Sequence, residues 1–266
     1  MKDLFSVLEP ADFTYLAGII QSDLNVSSDS ELSRLAEAYQ GVAAENGASD
    51  KEAASDSAPE EIRNELFERF EKEIRYVGSS EFAFGYRSLT GQEAGVSFQE
   101  IVRDVASLLK VGKPPLGTDR EQVEWVAGEY ATAQFSELSQ EEQRKMLESL
   151  GVERDKAEAF LKKSAGVFAL PMLIEAFNLV IVQGLIKTII FGTIAKIIGQ
   201  QLATRLFTFL VGRLPWWVNW IGPAAWTLSI GWTTFDLQGP ARRKTVPIVL
   251  YLGICSMRTK TAQPEG

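Results

Sequence analysis

The chain has 266 residues, 45% hydrophobic and 23% charged, the balance of a folded globular protein. It has no histidine and a single cysteine, Cys255. These absences exclude Ser-His-Asp and Cys-His catalysis, histidine proton relays, internal disulfides and cysteine-cluster zinc sites. The net charge of −8 hides a split, because residues 1–163 sum to −14 and residues 164–266 to +6. An acidic, water-loving first part precedes an apolar, basic second part. The lone cysteine suits a reducing compartment. Asp3, Glu9, Asp12 and Asp23 against Lys2 alone give the opening residues the wrong charge order for a secretory signal.

The chain reads as helix almost throughout. Leu4, Phe5 and Leu8, then Phe13, Leu16, Ile19 and Ile20, recur at helical spacing around Pro10. Ser28 to Ser30 offer N-caps for a helix carrying Leu32, Leu35, Ala36 and Tyr39, which is expected to stop at Gly41. Residues 43–58 are small and polar without apolar period and read as a linker. Ser57-Ala-Pro59-Glu60 starts the next helix, whose stripe is Ile62, Leu66, Phe67, Phe70 and Ile74, with Gly78 as its stop. Three capping boxes follow, at Ser97/Glu100, Thr118/Glu121 and Ser139/Glu142. Gly112 with Pro114-Pro115, and later Gly151, mark helix ends. Residues 152–163 continue as a short polar helix, and no strand pattern or internal repeat competes.

The character changes at residue 164. Residues 165–186 hold one formal charge, Glu175, and residues 216–235 hold none. About 20 apolar residues suffice to cross a bilayer as a helix, so both are candidate transmembrane spans. Lys162 and Lys163 precede the first span, and Arg242, Arg243 and Lys244 follow the second, as anchors that two crossings would leave on the cytoplasmic side. Trp216, Trp217, Trp220, Trp226 and Trp232 suit an interfacial belt. Glu175 with Asn178 forms a polar spot on the first span, and Lys187, Lys196, Arg205 and Arg213 interrupt the apolar stretch between the spans. These six are candidates for pore-lining or membrane contact, since an ionisable group at bilayer depth is costly unless paired or wet. The competing account shortens the first span and pairs Glu175 with Lys187, Arg205 or Arg213. Gly184 and Gly192, then Ala195, Gly199 and Ala203, form small-residue ladders that let helices approach closely.

The chain thus divides into an N-terminal helical segment (1–42), a linker (43–58), an acidic helical domain (59–163), an apolar hairpin (164–240) and a C-terminal helix and tail (241–266). The fold class is all-α, an acidic helical domain followed by an apolar, basic helical hairpin. The crowded Glu and Arg of residues 60–75 are spaced to pair at i,i+4 on a solvated face, at Glu65–Arg69, Glu68–Lys72 and Glu71–Arg75. An acidic domain argues against nucleic acid as ligand. The glycines of 85–95 form neither a Walker loop nor a dinucleotide fingerprint.

Two stretches resemble the YaaW-like family of uncharacterised bacterial proteins. One is residues 76–111, with the step Arg87-Ser-Leu-Thr-Gly91 and the pair Asp104-Val105; the other is residues 221–258, with Gly222-Pro223, Trp226, Gly231-Trp232, Gly239-Pro240 and Arg242 to Pro247. Residues 3–20 resemble that family's N-terminal segment more weakly. The resemblance implies a bacterial origin and an all-helical fold, and it carries over no reaction or catalytic residue.

The function expected from these features is that of a non-enzymatic membrane-associated bacterial protein. Its hairpin would insert into and permeabilise the inner membrane from the cytoplasmic face, as a stress or defence effector. No cofactor, metal or nucleic acid is expected. The lipid bilayer, a second copy of the chain and a protein held by the acidic domain are the expected partners. The alternative is a soluble or peripheral adaptor or assembly chaperone, cytoplasmic, with the hairpin as buried core, because helices wrapped on all sides are equally apolar. An enzyme working with Glu, Asp, Lys or Tyr is a third reading, for which no convergent constellation is visible.

Overall fold

The computed structural model describes residues 1–20, 29–48, 57–78, 96–199, 202–205, 208 and 240–257. Within them the fold is all-α, with no strand. The helices are α1 (Lys2–Phe5), α2 (Pro10–Ile20), α3 (Asp29–Ala48), α4 (Ser57–Gly78), α5 (Phe98–Leu108), α6 (Asp119–Glu137), α7 (Gln140–Ser149), α8 (Arg154–Ser164), α9 (Leu170–Ile198) and α10 (Pro240–Met257).

Local sequence sets most of these boundaries. All three expected capping boxes form, at the starts of α5, α6 and α7. In each, the Ser or Thr hydroxyl accepts the N3 amide while the N3 glutamate accepts the cap's own N–H, which satisfies two orphan donors at once. Gly112 and Gly151 follow their helices at φ +88° and +89°, angles that a Cβ disfavours. Two boundaries differ from expectation. Helix α3 passes Gly41 and continues to Ala48, because Val42-Ala-Ala-Glu45 is good helix sequence and one exposed glycine costs only about 1 kcal/mol. Helix α10 opens at Pro240, one residue before the expected 241, and carries Pro247 inside it.

One hydrophobic cluster runs from Leu4 to Met257 and takes side chains from every helix. Its axis is α10 lying on α6, with α9 packed along both. Gly253 makes the α10–α6 crossing close, because a Cβ there would lie 2.5 Å from the Val123 carbonyl oxygen and 2.6 Å from the Ala127 Cβ. The C-terminal helix thus packs back on the first part of the chain. Phe5, Phe13, Phe67 and Phe70 interlock α1, α2 and α4 through ring contacts at 5.3–6.4 Å. Tyr15 stacks on Tyr251 at 4.2 Å, and Phe191 stands edge-on to both, joining α2, α9 and α10.

The two candidate spans part company. Leu170–Ile198 is long and apolar enough to cross a membrane, but 61% of its most apolar window is buried inside the protein. It begins at Leu170, not 165, and runs on past 186. The span 216–235, with all five belt tryptophans, lies outside the described residues, as does Arg213.

Candidate functional site

Helix α9 is broken at Asn178, whose φ of 73° and ψ of 164° are not helical. The first section, Leu170–Phe177, turns away from the second. The Asn178 side-chain oxygen accepts the Ile181 N–H at 3.1 Å, so the asparagine serves as N-cap of the second section. From Val182 to Phe191 every residue is buried, whereas Pro171, Met172, Glu175, Asn178 and Val180 are exposed.

Beside the break lies a groove of about 550 Å³. Leu170 and Ile174 wall it from the first section of α9, Val182 and Ile186 from the second, Trp125 from α6 and Met257 from α10. Pro115 and Leu116 of the 109–118 connection close one flank. Leu116 is 98% exposed and Val167, in the 165–169 connection, 70% exposed. The polar groups of the groove are already engaged. Gln183 donates to the Met257 carbonyl at 3.0 Å, and Arg120 bonds the Ser256 carbonyl at 2.9 Å and Glu124 at 3.1 Å. Gln183 and Arg120 thereby satisfy the orphan carbonyls at the end of α10, where a cation also suits the helix dipole. Nothing in the amino-acid pattern announced the groove; the Pro114-Pro115-Leu116 run was its only local sign.

A second polar centre is fully buried. Asp12 accepts the Tyr251 hydroxyl at 2.7 Å and the Cys255 thiol at 3.6 Å on one oxygen, and the Glu9 N–H at 2.7 Å on the other. Burial, and next the negative Asp12, hold the Tyr251 hydroxyl well above its ordinary pKa, so it stays a donor. Burial likewise raises Tyr15 and Tyr130. The Tyr130 hydroxyl meets Thr193 at 3.0 Å, and Thr193 in turn donates to the Ile189 carbonyl. Asp12 stands three residues after Glu9 and returns to its amide, the spacing of a helix start, which is why it looked unremarkable in sequence.

The residues singled out from sequence are scattered rather than gathered. Glu175, Asn178, Lys196 and Arg205 are exposed, and Lys187 is buried in the core. Glu175 does not meet Lys187 or Arg205 in an ion pair among the described residues. Gly184 is buried and Gly192 and Ala195 half-buried, but Gly199 ends α9 at φ +88°, so Ala195 and Ala203 do not share one straight helix. Lys162 and Lys163 are exposed in the last turn of α8, just before α9; Arg243 and Lys244 lie near the start of α10. The side chain of Arg242 lies outside the described residues. No group of three or more Asp, Glu or Cys side chains among the described residues is arranged to hold a metal.

No family model matches the chain, and no solved structure matches it. The chain is similar to a bacterial protein. Over 203 residues, 74% of each chain, it is 28% identical to the UPF0174 protein of Helicobacter pylori strain J99.

Proposed function

We propose that the protein is a non-enzymatic, membrane-associated bacterial protein, built as a helical body in water with a connector, residues 199–239, that meets lipid at the cytoplasmic face of the inner membrane. The observation that carries this reading is the pairing of α9 with α10. Gln183 meets Met257 and Phe191 meets Tyr251, so the two helices run antiparallel and bring Ile198 and Pro240 to the same end of the body. Both ends of the connector are thus tied to one end of a packed structure. The connector carries 20 uncharged residues, 216–235, with five of the chain's six tryptophans. Attachment at a single end requires an even number of crossings or a position along the interface. The first apolar helix becomes the core that holds the connector rather than a span. The bacterial relative supports the bacterial setting, and the YaaW-like resemblance of residues 76–111 and 221–258 belongs to the same proposal.

Fractionation with an alkaline carbonate wash tests it. The wild-type chain is expected in the washed membrane, and a Leu228→Lys, Ile230→Lys variant in the soluble fraction. A wild-type chain that is soluble and monodisperse without detergent overturns the reading in favour of an adaptor or assembly chaperone, the alternative favoured by the burial of α9. Depolarisation of expressing cells, lost in the double variant, would extend association to permeabilisation.

A further inference from the structure

We propose that α7, α8 and the first section of α9 form one lobe that swings about two joints, Leu138 and Asn178, and so opens and closes the apolar groove. This inference does not depend on the membrane reading.

The lobe is tied internally. Arg144 bonds Glu141 and Glu148 on its own helix and approaches Glu158 of α8 at 3.9 Å, while Arg154 holds Glu158 at 2.8 Å. Phe160 of α8 meets Phe177 of α9 edge-on at 4.6 Å and stacks with Phe168 at 5.8 Å; Lys156 lies 5.9 Å over the Phe177 ring. These contacts lock residues 139–177 into a unit.

The chain enters and leaves this unit at two irregular residues. Leu138 is extended, with φ −69° and ψ 149°, between α6 and α7. Asn178 sits at a positive φ and extended ψ that residues with a Cβ rarely adopt. The hydrogen bond and ring contact across the seam lie close to Leu138, while at the groove Leu170 rests over Gly128 of α6. Gln143 donates to the Phe135 carbonyl at 2.8 Å, and Phe135 meets Phe168 edge-on at 5.0 Å. Farther from that joint the seam is the groove, with Leu170 and Ile174 on the lobe side and Trp125, Val182, Ile186 and Met257 on the body side. Pockets form preferentially at such seams, and hinges are a few terminal residues that absorb a φ/ψ change. Here the change is defined. If Asn178 relaxes to helical angles, α9 becomes continuous, and the lobe moves with its first section.

The test is a distance measurement on the full chain. Spin labels are placed at Leu116→Cys on the body and Val167→Cys on the lobe, both at exposed positions, while buried Cys255 stays unreactive. Wild type is expected to show two distances. Glycine tolerates the strained angle, so Asn178→Gly should raise the ratio of kinked to straight by roughly ten-fold. Asn178→Leu should shift the ratio the opposite way, because leucine avoids positive φ and favours helix. A control pair within the lobe, Lys145→Cys with Lys163→Cys, should give one distance in every variant. If Asn178→Leu fails to fold, loss of the second distance in Asn178→Gly still supports the hinge. One narrow Leu116–Val167 distance, the same in wild type and in every folded variant, overturns it.

Discussion

The two sections of α9 are equally apolar and meet opposite surroundings. Val182–Ile194 threads between α6 and α10, with Leu185, Ile189, Ile190 and Ile194 almost wholly buried. Leu170–Phe177 anchors Leu173 and Phe177 but leaves Met172 exposed, and its Leu170 and Ile174 wall an open groove. The difference teaches that hydropathy reports how much apolar surface a segment has, not what covers it. A core helix and a lipid-facing helix pass the same length test.

Truncations on each side of Asn178 should break this comparison if it is wrong. Ile189→Ala should cost about 2–5 kcal/mol in denaturant unfolding, because it leaves a cavity in a site packed from three sides. Met172→Ala, before the break, should change stability by less than about 0.5 kcal/mol, as for other exposed positions. Equal losses would mean that the two sections are equally enclosed.

Changes at the α10 junction sharpen the same contrast. Gly253→Ala pushes a methyl into the Val123 backbone, and an overpacked crossing of this kind costs about 1–3 kcal/mol by thermal unfolding. Tyr251→Phe removes the shorter of two hydrogen bonds to one buried Asp12 oxygen, leaving the Cys255 thiol, and loss of such a bond costs about 1–3 kcal/mol. The buried tyrosines also set a pH dependence. Tyr15, Tyr130 and Tyr251 are all held above their ordinary value of 10.0, so the folded state keeps protons that the unfolded state has lost. Their contribution is complete below pH 10 and is lost above it, by about 1.4 kcal/mol per pH unit for each tyrosine. Alkaline denaturation of Tyr15→Phe and Tyr251→Phe should show a shallower slope than wild type. A smaller effect belongs to the helix starts, where Thr118→Ala should cost about 1 kcal/mol by removing one capping box.

Much of the fold was legible. Leu66, Phe67, Phe70 and Ile74 of the α4 stripe are buried as their spacing indicated, with Ile62 half-buried, and the three capping boxes form at the expected residues. These features act over three or four residues, within one turn of helix, so nothing distant can overrule them. The groove and the Asp12 centre were not legible. Asp12 and Tyr251 are 239 residues apart, and the groove takes its walls from α6, α9, α10 and the 109–118 connection. Neither has a spacing to detect, because each exists only after the helices have packed. The break at Asn178 escaped for a related reason: Asn178 stood out in sequence only as a polar spot beside Glu175, and its non-helical angle appears only in the packed helix.

By itself, the amino-acid sequence determined that the chain is helical, where most helices begin and end, and that its acidic and apolar parts are separate in the chain. Those properties follow from side chains acting on their own backbone within a turn. The tertiary structure alone decided that α9 is mostly core, that α9 and α10 run antiparallel, and that a groove opens beside a strained joint. Each of these depends on which surface meets which, and burial is a property of pairs of segments rather than of either one.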